Sequence, residues 1–237
     1  MSPKKCGGTR RDNLIQYRDM STFLKKQFDE LGYKTIELMD GILLIENFLK
    51  EEELQEFWDI INNTSEDEWF KHYRSHLARF CMEKFGRDDV ENLVAEGKYE
   101  ITKDWDDKNL NVGRYQSTKN INQRINDILK STGEDLESSF GIFQRMQEGV
   151  QLKAHTDQHT DPSIKYAAVI YLNDDYVEGE IFWPKKDISC RPAPGSLLIF
   201  PGNEEFEHGV KHVGKGPIRY VMPAFIKIPG FYDNNKY

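Results

Sequence analysis

Residues 166–200 read YAAVIYLNDDYVEGEIFWPKKDISCRPAPGSLLIF, and this stretch decides the fold class. Runs rich in β-branched and aromatic residues are separated here by segments rich in Gly, Pro, Asn and Asp. The first kind of residue is enriched in strands and the second kind in turns. The stretch therefore predicts a series of short strands, namely Tyr166–Leu172, Glu180–Pro184 and Ser196–Phe200.

The same alternation of runs and turns continues on both sides of this stretch. Three further runs are predicted as strands: Phe140–Met146, Val150–Thr156 and Ile218–Ile228. An eight-stranded double sheet of the jelly-roll type would use these strands and leave a cavity between its two sheets. We therefore predict a double-stranded β-helix (jelly-roll) core at about residues 139–228.

The part of the chain before this core has the apolar spacing of helices. From about Asp12, apolar residues recur at intervals of three and four, which predicts an amphipathic helix. Two short strands are predicted within Lys34–Asn47, with Asp40-Gly41 as the turn between them. Further helices are predicted over Lys50–Asn62, Glu66–Phe85 and Asn122–Lys130, and residues 87–120 are predicted as a short helix with a mobile loop.

Helices first and strands second is the order of an α+β protein, in which helices cover one face of a mostly antiparallel sheet. We predict one domain over residues 12–237, with helical support at about 12–138, because no linker rich in Pro, Ser or Gly divides the chain. Residues 1–11, rich in Gly, Lys and Arg, are predicted as a flexible tail.

Composition and charge narrow the class of function. The 237 residues are 38% hydrophobic and 12% aromatic, which is enough for a core. No apolar run approaches the roughly 18 residues of a membrane span, and the basic N-terminus leads into no signal-peptide core. Three widely spaced cysteines, Cys6, Cys81 and Cys190, favour a reducing compartment. We predict a cytoplasmic protein without membrane contact; its net charge of −8 disfavours nucleic acid as a partner.

A candidate metal motif, His155-Thr156-Asp157, ends one predicted strand, and His208 follows 53 residues after the first histidine. Two neutral imidazoles and one carboxylate can occupy one face of an octahedral ferrous ion. That arrangement leaves three positions for a bidentate co-substrate and dioxygen. Arg219 lies among apolar residues of the last predicted strand, where a buried guanidinium needs an anion and can grip a carboxylate through two parallel hydrogen bonds.

Other histidines offer competing patterns. His159-Thr160-Asp161 repeats the motif, and one such motif alone would be an ordinary polar turn. His212 lies four residues beyond His208, and His72 and His76 have the same spacing, but neither pair has the adjacent glutamate of zinc metalloproteases. Zinc-dependent hydrolysis is therefore the weakest alternative. His72 and His76 lie in a predicted helix and are predicted to face solvent.

Five pieces of the chain occur in a recognisable order: Gly149–Asp157, Ala168–Asn173, Gly179–Pro184, Pro194–Phe200, and His208-Gly-Val with Arg219-Tyr-Val. Together they resemble the iron(II)- and 2-oxoglutarate-dependent dioxygenases, and among these the prolyl 4-hydroxylase-like branch. Ile42–Leu49, followed by an acidic helix, is similar to the start of that catalytic domain. The resemblance covers about residues 40–228.

The resemblance implies a role for each matching residue. His155, Asp157 and His208 match the ligands of Fe(II), and Arg219 matches the basic residue that binds the 5-carboxylate of 2-oxoglutarate. Tyr171 matches the tyrosine that adds a hydrogen bond to that carboxylate. The implied cofactors are Fe(II), 2-oxoglutarate as co-substrate and O₂, with ascorbate as an optional reductant.

The resemblance also distinguishes between the two copies of the motif. Gly149 lies six residues before His155 and Tyr171 lies sixteen after it, as in the family, and the second copy would break both spacings. Two positions depart from the family pattern. Met146 stands where a tyrosine is common, and Phe225 stands where a tryptophan is common, so the resemblance leaves the details of the co-substrate pocket open.

The implied activity is hydroxylation of prolyl residues in a peptide or flexible protein segment, with oxidative decarboxylation of 2-oxoglutarate to succinate and carbon dioxide. One alternative is the same chemistry on a free amino acid or another small metabolite. A second is a non-catalytic β-helix module that holds a metal or a carboxylate. The presence of all three ligands together with Arg219 argues against the second alternative.

Overall fold

The computed structural model describes residues 10–65, 69 and 115–231. Its three long described helices are α1 (Arg10–Glu30), α2 (Glu51–Asn62) and α3 (Gln116–Lys130), and each confirms a predicted helix. The α1 helix begins inside the segment predicted as a tail, and α3 begins six residues before its predicted start. The predicted helix Glu66–Phe85, apart from Trp69, and the region 87–114 lie outside the described residues.

The helix ends follow from local chemistry. Gly32 has a φ of 85°, a left-handed conformation that glycine adopts without strain, and Tyr33 N–H donates to the carbonyl of Phe28 at 3.0 Å, which terminates α1. At the start of α2 the side chain of Glu53 accepts a hydrogen bond from Lys50 N–H at 2.9 Å. None of the described helices combines the length and apolar character needed to span a bilayer.

Eleven strands are described: β1 (Lys34–Met39), β2 (Ile42–Glu46), β3 (Glu137–Ser138), β4 (Gln144–Met146), β5 (Leu152–His155), β6 (Ile164–Tyr171), β7 (Ile181–Trp183), β8 (Ile188–Cys190), β9 (Leu197–Pro201), β10 (His208–Val210) and β11 (Arg219–Lys227). The larger sheet has the order β1-β2-β9-β6-β11-β3, and β4 also pairs with β11. The smaller sheet has the order β5-β10-β7-β8. The ladders within both sheets are antiparallel.

From β4 onward the chain divides its strands between the two sheets as a jelly roll does. Strands β4, β6, β9 and β11 lie in the larger sheet, and β5, β7, β8 and β10 form the smaller one. The predicted α+β class with a jelly-roll core is therefore confirmed. Each of the six predicted runs contains a strand, although Phe140–Met146 narrows to the three residues of β4. The three-residue strands β8 and β10 were not predicted, because such short segments show no alternation.

Two apolar layers pack on the two faces of the larger sheet. Alternate residues of β6 point to opposite faces, so Ala168 and Ile170 pack with the helices, whereas Ala167 and Tyr171 pack between the sheets. The same alternation in β11 directs Met222 and Ala224, among others, toward the helices. Arg219, three residues before Met222, therefore belongs to the opposite face, which is the inner face that also carries Tyr171.

Candidate metal and co-substrate site

The three side chains predicted as metal ligands meet where β5 pairs with β10. His155 ends β5, His208 begins β10, and these two residues are register partners. Asp157 is the first residue of a short helix, α4 (Asp157–Thr160). Its carboxylate oxygens lie 3.7 Å from His155 Nε2 and 3.8 Å from His208 Nε2. One ligand atom from each residue lies within 4.8 Å of the others, so the cluster has the size of a metal site.

Backbone carbonyls set the orientation of both imidazoles. His155 Nδ1 lies 2.8 Å from the carbonyl of Lys153, and His208 Nδ1 lies 3.1 Å from the carbonyl of Phe206. A carbonyl only accepts, so Nδ1 carries the proton and Nε2 offers its lone pair to the centre of the cluster. Burial, together with the neighbouring His155, lowers the pKa of His208 to about 3. His208 is therefore neutral at pH 7, as a metal ligand must be.

The carboxylate of Asp157 lacks the compensation that a buried charge requires. The residue is 6% exposed, and its Oδ2 has no hydrogen-bond partner among the described residues. Burial raises the pKa of Asp157 to about 7. A divalent cation between the three side chains would compensate the charge, and two imidazoles with one carboxylate suit Fe(II).

Asp157→Asn is expected to stabilise the metal-free protein while weakening its metal binding. The neutral amide removes a buried, unpaired charge, and the gain in the free energy of unfolding should be about 1–3 kcal/mol at pH 8. The pKa of Asp157 is raised above its ordinary value, so its ionisation opposes folding above pH 7. The gain should therefore shrink as the pH falls through 7 toward 4. Urea denaturation with a chelator measures it, and equal unfolding free energies at pH 8 would contradict the prediction.

Close packing beside the metal-sized cluster requires glycine at position 209 and leaves little space for a side chain at position 202. A Cβ on Gly209 would lie 2.5 Å from the carbonyl oxygen of Leu152, so only glycine allows β10 to approach β5 next to His208. A Cβ on Gly202 would lie 3.3 Å from Asp157 Cβ. The absence of a side chain at these two positions therefore permits the close packing around His208 and Asp157.

The competing histidines remain apart from the cluster. His159 is exposed on α4, and Asp161 of the second motif copy forms an ion pair with Lys227 at 2.8 Å. His212 lies 3.3 Å from a carboxylate oxygen of Glu178 on the surface. Within the described residues the metal-sized cluster consists of the first motif copy and His208. His72 and His76 lie outside the described residues.

Arg219 is buried, and no carboxylate of the residues that the structure describes forms an ion pair with it. The residue is 1% exposed. Its Nη1 donates to the Met146 sulfur at 3.3 Å, its Nη2 donates to the Tyr171 hydroxyl at 3.4 Å, and its Nε has no partner among the described residues. A thioether and a phenol are weak partners for a guanidinium. The guanidinium therefore keeps an uncompensated charge that an external anion, such as a carboxylate, could neutralise.

Met146, which departs from the residue pattern of the resembled family, lies next to Arg219. Met146 is fully buried, and it is the register partner of Arg219 across the β4–β11 pair. Its sulfur lies beside the guanidinium, at the position where the resemblance led us to expect the hydroxyl of a tyrosine. A thioether is a weaker acceptor than a hydroxyl, so the hydrogen bond from Arg219 Nη1 to Met146 compensates the guanidinium less than a bond to tyrosine would.

Tyr171 and one tyrosine without a predicted role surround the same guanidinium. Burial raises the pKa of Tyr171, and Arg219 opposes that rise. The ring of Tyr176 lies 5.7 Å from Arg219 Cζ, and the guanidinium of Arg191 covers the ring at 4.9 Å. Cys190 is also near, and burial raises the pKa of its thiol to about 12. Tyr176 lies in the irregular segment that follows β6, and no periodic pattern in the sequence identified it.

Residues 141–227 match the family model of the 2OG-Fe(II) oxygenase superfamily. The matched residues contain all three members of the metal-sized cluster. The cluster and the matched family model together fit Fe(II) with 2-oxoglutarate as co-substrate. A search of curated proteins gave no match.

Solved structures with this fold include several prolyl hydroxylases. A prolyl hydroxylase from Trichoplax adhaerens, in complex with a hypoxia inducible factor oxygen degradation domain peptide fragment, superposes with a TM-score of 0.54 at 13% identity, covering 98% of this chain and 99% of that chain. A Pseudomonas putida prolyl-4-hydroxylase gives a TM-score of 0.51 at 17% identity, covering 87% and 100%.

The viral collagen prolyl hydroxylase of Paramecium Bursaria Chlorella virus-1, in its 2OG complex, gives a TM-score of 0.50 at 14% identity, covering 78% of this chain and 95% of that chain. At these identities the likeness concerns the fold alone. The predicted resemblance to 2OG-Fe(II) oxygenases of the prolyl 4-hydroxylase-like branch is confirmed at that level.

Proposed function

We propose that this protein is an Fe(II)- and 2-oxoglutarate-dependent hydroxylase that acts on prolyl residues of a peptide or flexible protein segment. The observation that carries the proposal is the combination of a metal-sized cluster with a separate, buried and uncompensated guanidinium. The first feature fits a ferrous ion, and the second fits the remote carboxylate of a co-substrate that chelates the ion.

In this proposal His155 Nε2, the Asp157 carboxylate and His208 Nε2 hold the iron. Arg219 binds the 5-carboxylate of 2-oxoglutarate, and the Tyr171 hydroxyl donates to the same carboxylate. When bound, Fe(II) and 2-oxoglutarate supply the oxidising chemistry, in which O₂ is consumed, succinate and carbon dioxide form, and a C–H bond of the substrate becomes C–OH.

Charge balance supports this division of roles. With both imidazoles neutral, the protein contributes one negative charge from Asp157 and one positive charge from Arg219. A ferrous ion and a 2-oxoglutarate dianion also sum to zero, so loading the site adds no net charge to a buried region. Each added charge also finds an opposite partner among the buried side chains, which makes its desolvation tolerable.

The choice of a prolyl residue as substrate is the more specific part of the proposal. The solved structures with this fold include enzymes whose titles describe prolyl hydroxylation, one of them bound to a peptide fragment. A proline-containing segment suits an open groove, because its extended form is preformed and loses little entropy on binding. A cytoplasmic location belongs to the same proposal, since Cys190 is a free thiol.

Mass spectrometry of proline-rich peptides incubated with the protein, Fe(II), ascorbate and 2-oxoglutarate tests the proposal. We expect a gain of about one oxygen atom on proline, which this chemistry adds to the substrate, and none without oxygen or with His208→Ala. A gain only on a free amino acid would move the assignment to a small metabolite. Binding of iron and 2-oxoglutarate without succinate from any substrate would indicate a non-catalytic module.

A further inference from the structure

The buried side-chain amide of Asn173 forms hydrogen bonds with the backbone on both sides of Arg219. Asn173 is 8% exposed. Its Nδ2 donates to the carbonyl of Ile218 at 2.8 Å, and its Oδ1 accepts from Tyr220 N–H at 2.8 Å. These two backbone groups belong to the residues immediately before and after Arg219. One side chain therefore binds the backbone on both sides of the buried guanidinium.

These two hydrogen bonds lie where the regular pairing of β6 with β11 ends. The β6–β11 ladder reaches its last register pair at Tyr171 and Val221, and Leu172 N–H then donates to the Tyr220 carbonyl at 3.1 Å. Beyond that point the chain leaves β6, and the Asn173 amide supplies the donor and acceptor that a further strand residue would have offered. Without it, the Ile218 carbonyl and the Tyr220 N–H would lose these partners on either side of Arg219.

The same amide also contacts the irregular segment that leads to Tyr176. Asn173 Nδ2 donates to Asp175 Oδ1 at 2.7 Å, and Tyr176 follows directly with its buried ring against Arg219. A single side chain therefore contacts both the backbone on either side of Arg219 and the segment that leads to Tyr176.

We propose that Asn173 is the positioning residue that keeps the Arg219 guanidinium oriented for a dicarboxylate co-substrate. A bidentate contact tolerates little misorientation, and the orientation of Arg219 depends on how the start of β11 is held. β4 holds one edge through the Met146–Arg219 register pair, and Asn173 holds the other. This inference rests on the proposed role of Arg219 and adds a residue that does not touch the co-substrate.

Asn173→Ala tests the inference through equilibrium binding to the Fe(II)-loaded protein under anaerobic conditions. Two ligands are compared: 2-oxoglutarate and 2-oxopentanoate, which has the same 2-oxo acid group but no 5-carboxylate. The affinity for 2-oxoglutarate should fall about tenfold, the scale typical of lost supporting contacts. The affinities for 2-oxopentanoate and for Fe(II) should be unchanged. In an Arg219→Ala background, Asn173→Ala should cause no further loss.

Asp174→Ala is the matched control, because it alters the next residue, which is exposed, and should leave both affinities unchanged. Asn173→Asp keeps the acceptor for Tyr220 N–H and the shape of the side chain while removing its donors. It should also weaken 2-oxoglutarate binding selectively, and it replaces the alanine variant if that variant does not fold.

Three outcomes would overturn the inference. An equal loss for both 2-oxo acids would show a general disturbance of the site. If the 2-oxoglutarate affinity is unchanged in both Asn173 variants but falls in Arg219→Ala, Asn173 does not position Arg219. That outcome would leave the proposed function intact. Unchanged affinity in Arg219→Ala itself would reject the role of Arg219 and, with it, this inference.

Discussion

His155→Ala, Asp157→Ala and His208→Ala are each expected to abolish the iron- and oxygen-dependent conversion of 2-oxoglutarate to succinate. Each change removes one of three donors that lie within 4.8 Å of one another. Loss of a residue that merely supports a metal ligand costs about 10–100-fold, so loss of a ligand should cost more than about 100-fold. Iron stoichiometry after anaerobic loading and succinate formation are the two measurements.

His159→Ala is the matched control for this series. His159 belongs to the second copy of the same sequence motif, but its side chain is exposed outside the cluster. Iron content and turnover should therefore stay at the level of the unmodified protein. Loss of iron in His159→Ala with retention in His155→Ala would assign the site to the other copy of the motif.

Arg219→Ala is expected to have the second largest effect, on the co-substrate rather than on the metal. The 5-carboxylate of 2-oxoglutarate would lose a charged bidentate partner in a buried pocket, at a cost of about 2–5 kcal/mol, or about thirtyfold or more in affinity. The affinity for Fe(II) without co-substrate should change little, because the cluster that binds iron contains no atom of Arg219.

Arg219→Lys separates charge from geometry. The ammonium keeps the positive charge but offers no planar pair of donors, so 2-oxoglutarate binding should recover only in part. Anaerobic titration of the iron-loaded proteins with 2-oxoglutarate measures both variants. An apparent affinity unchanged in both would exclude Arg219 from the co-substrate pocket.

The sequence alone determined the class of the fold and the composition of the candidate site. Local patterns were sufficient for α1, α2 and for strands such as β6 and β9, because apolar periodicity and turn residues act over a few positions. The order of family motifs predicted which histidine and aspartate accompany His208. A repeated motif is locally ambiguous, so spacing to distant glycine and tyrosine residues was needed for that choice.

Tertiary structure decided what depends on contacts between distant segments. Strand pairing places His208 opposite His155, although 53 positions separate them in the chain. The three-residue strand β10 exists because its backbone pairs with β5 and β7, and so short a segment shows no pattern of its own. Its register depends on long-range pairing, which local propensity cannot specify.

The surroundings of Arg219 illustrate the same limit. Its place among apolar residues predicted a buried cation, and the family resemblance predicted Tyr171 as its neighbour. Its other contacts depend on how β4, β6 and β11 meet. Met146 accepts its shortest side-chain hydrogen bond, the ring of Tyr176 lies against it, and Asn173 binds the backbone on both sides of it. The sequence determined which chemical groups are available, and the packing of segments far apart in the chain decided which of them touch.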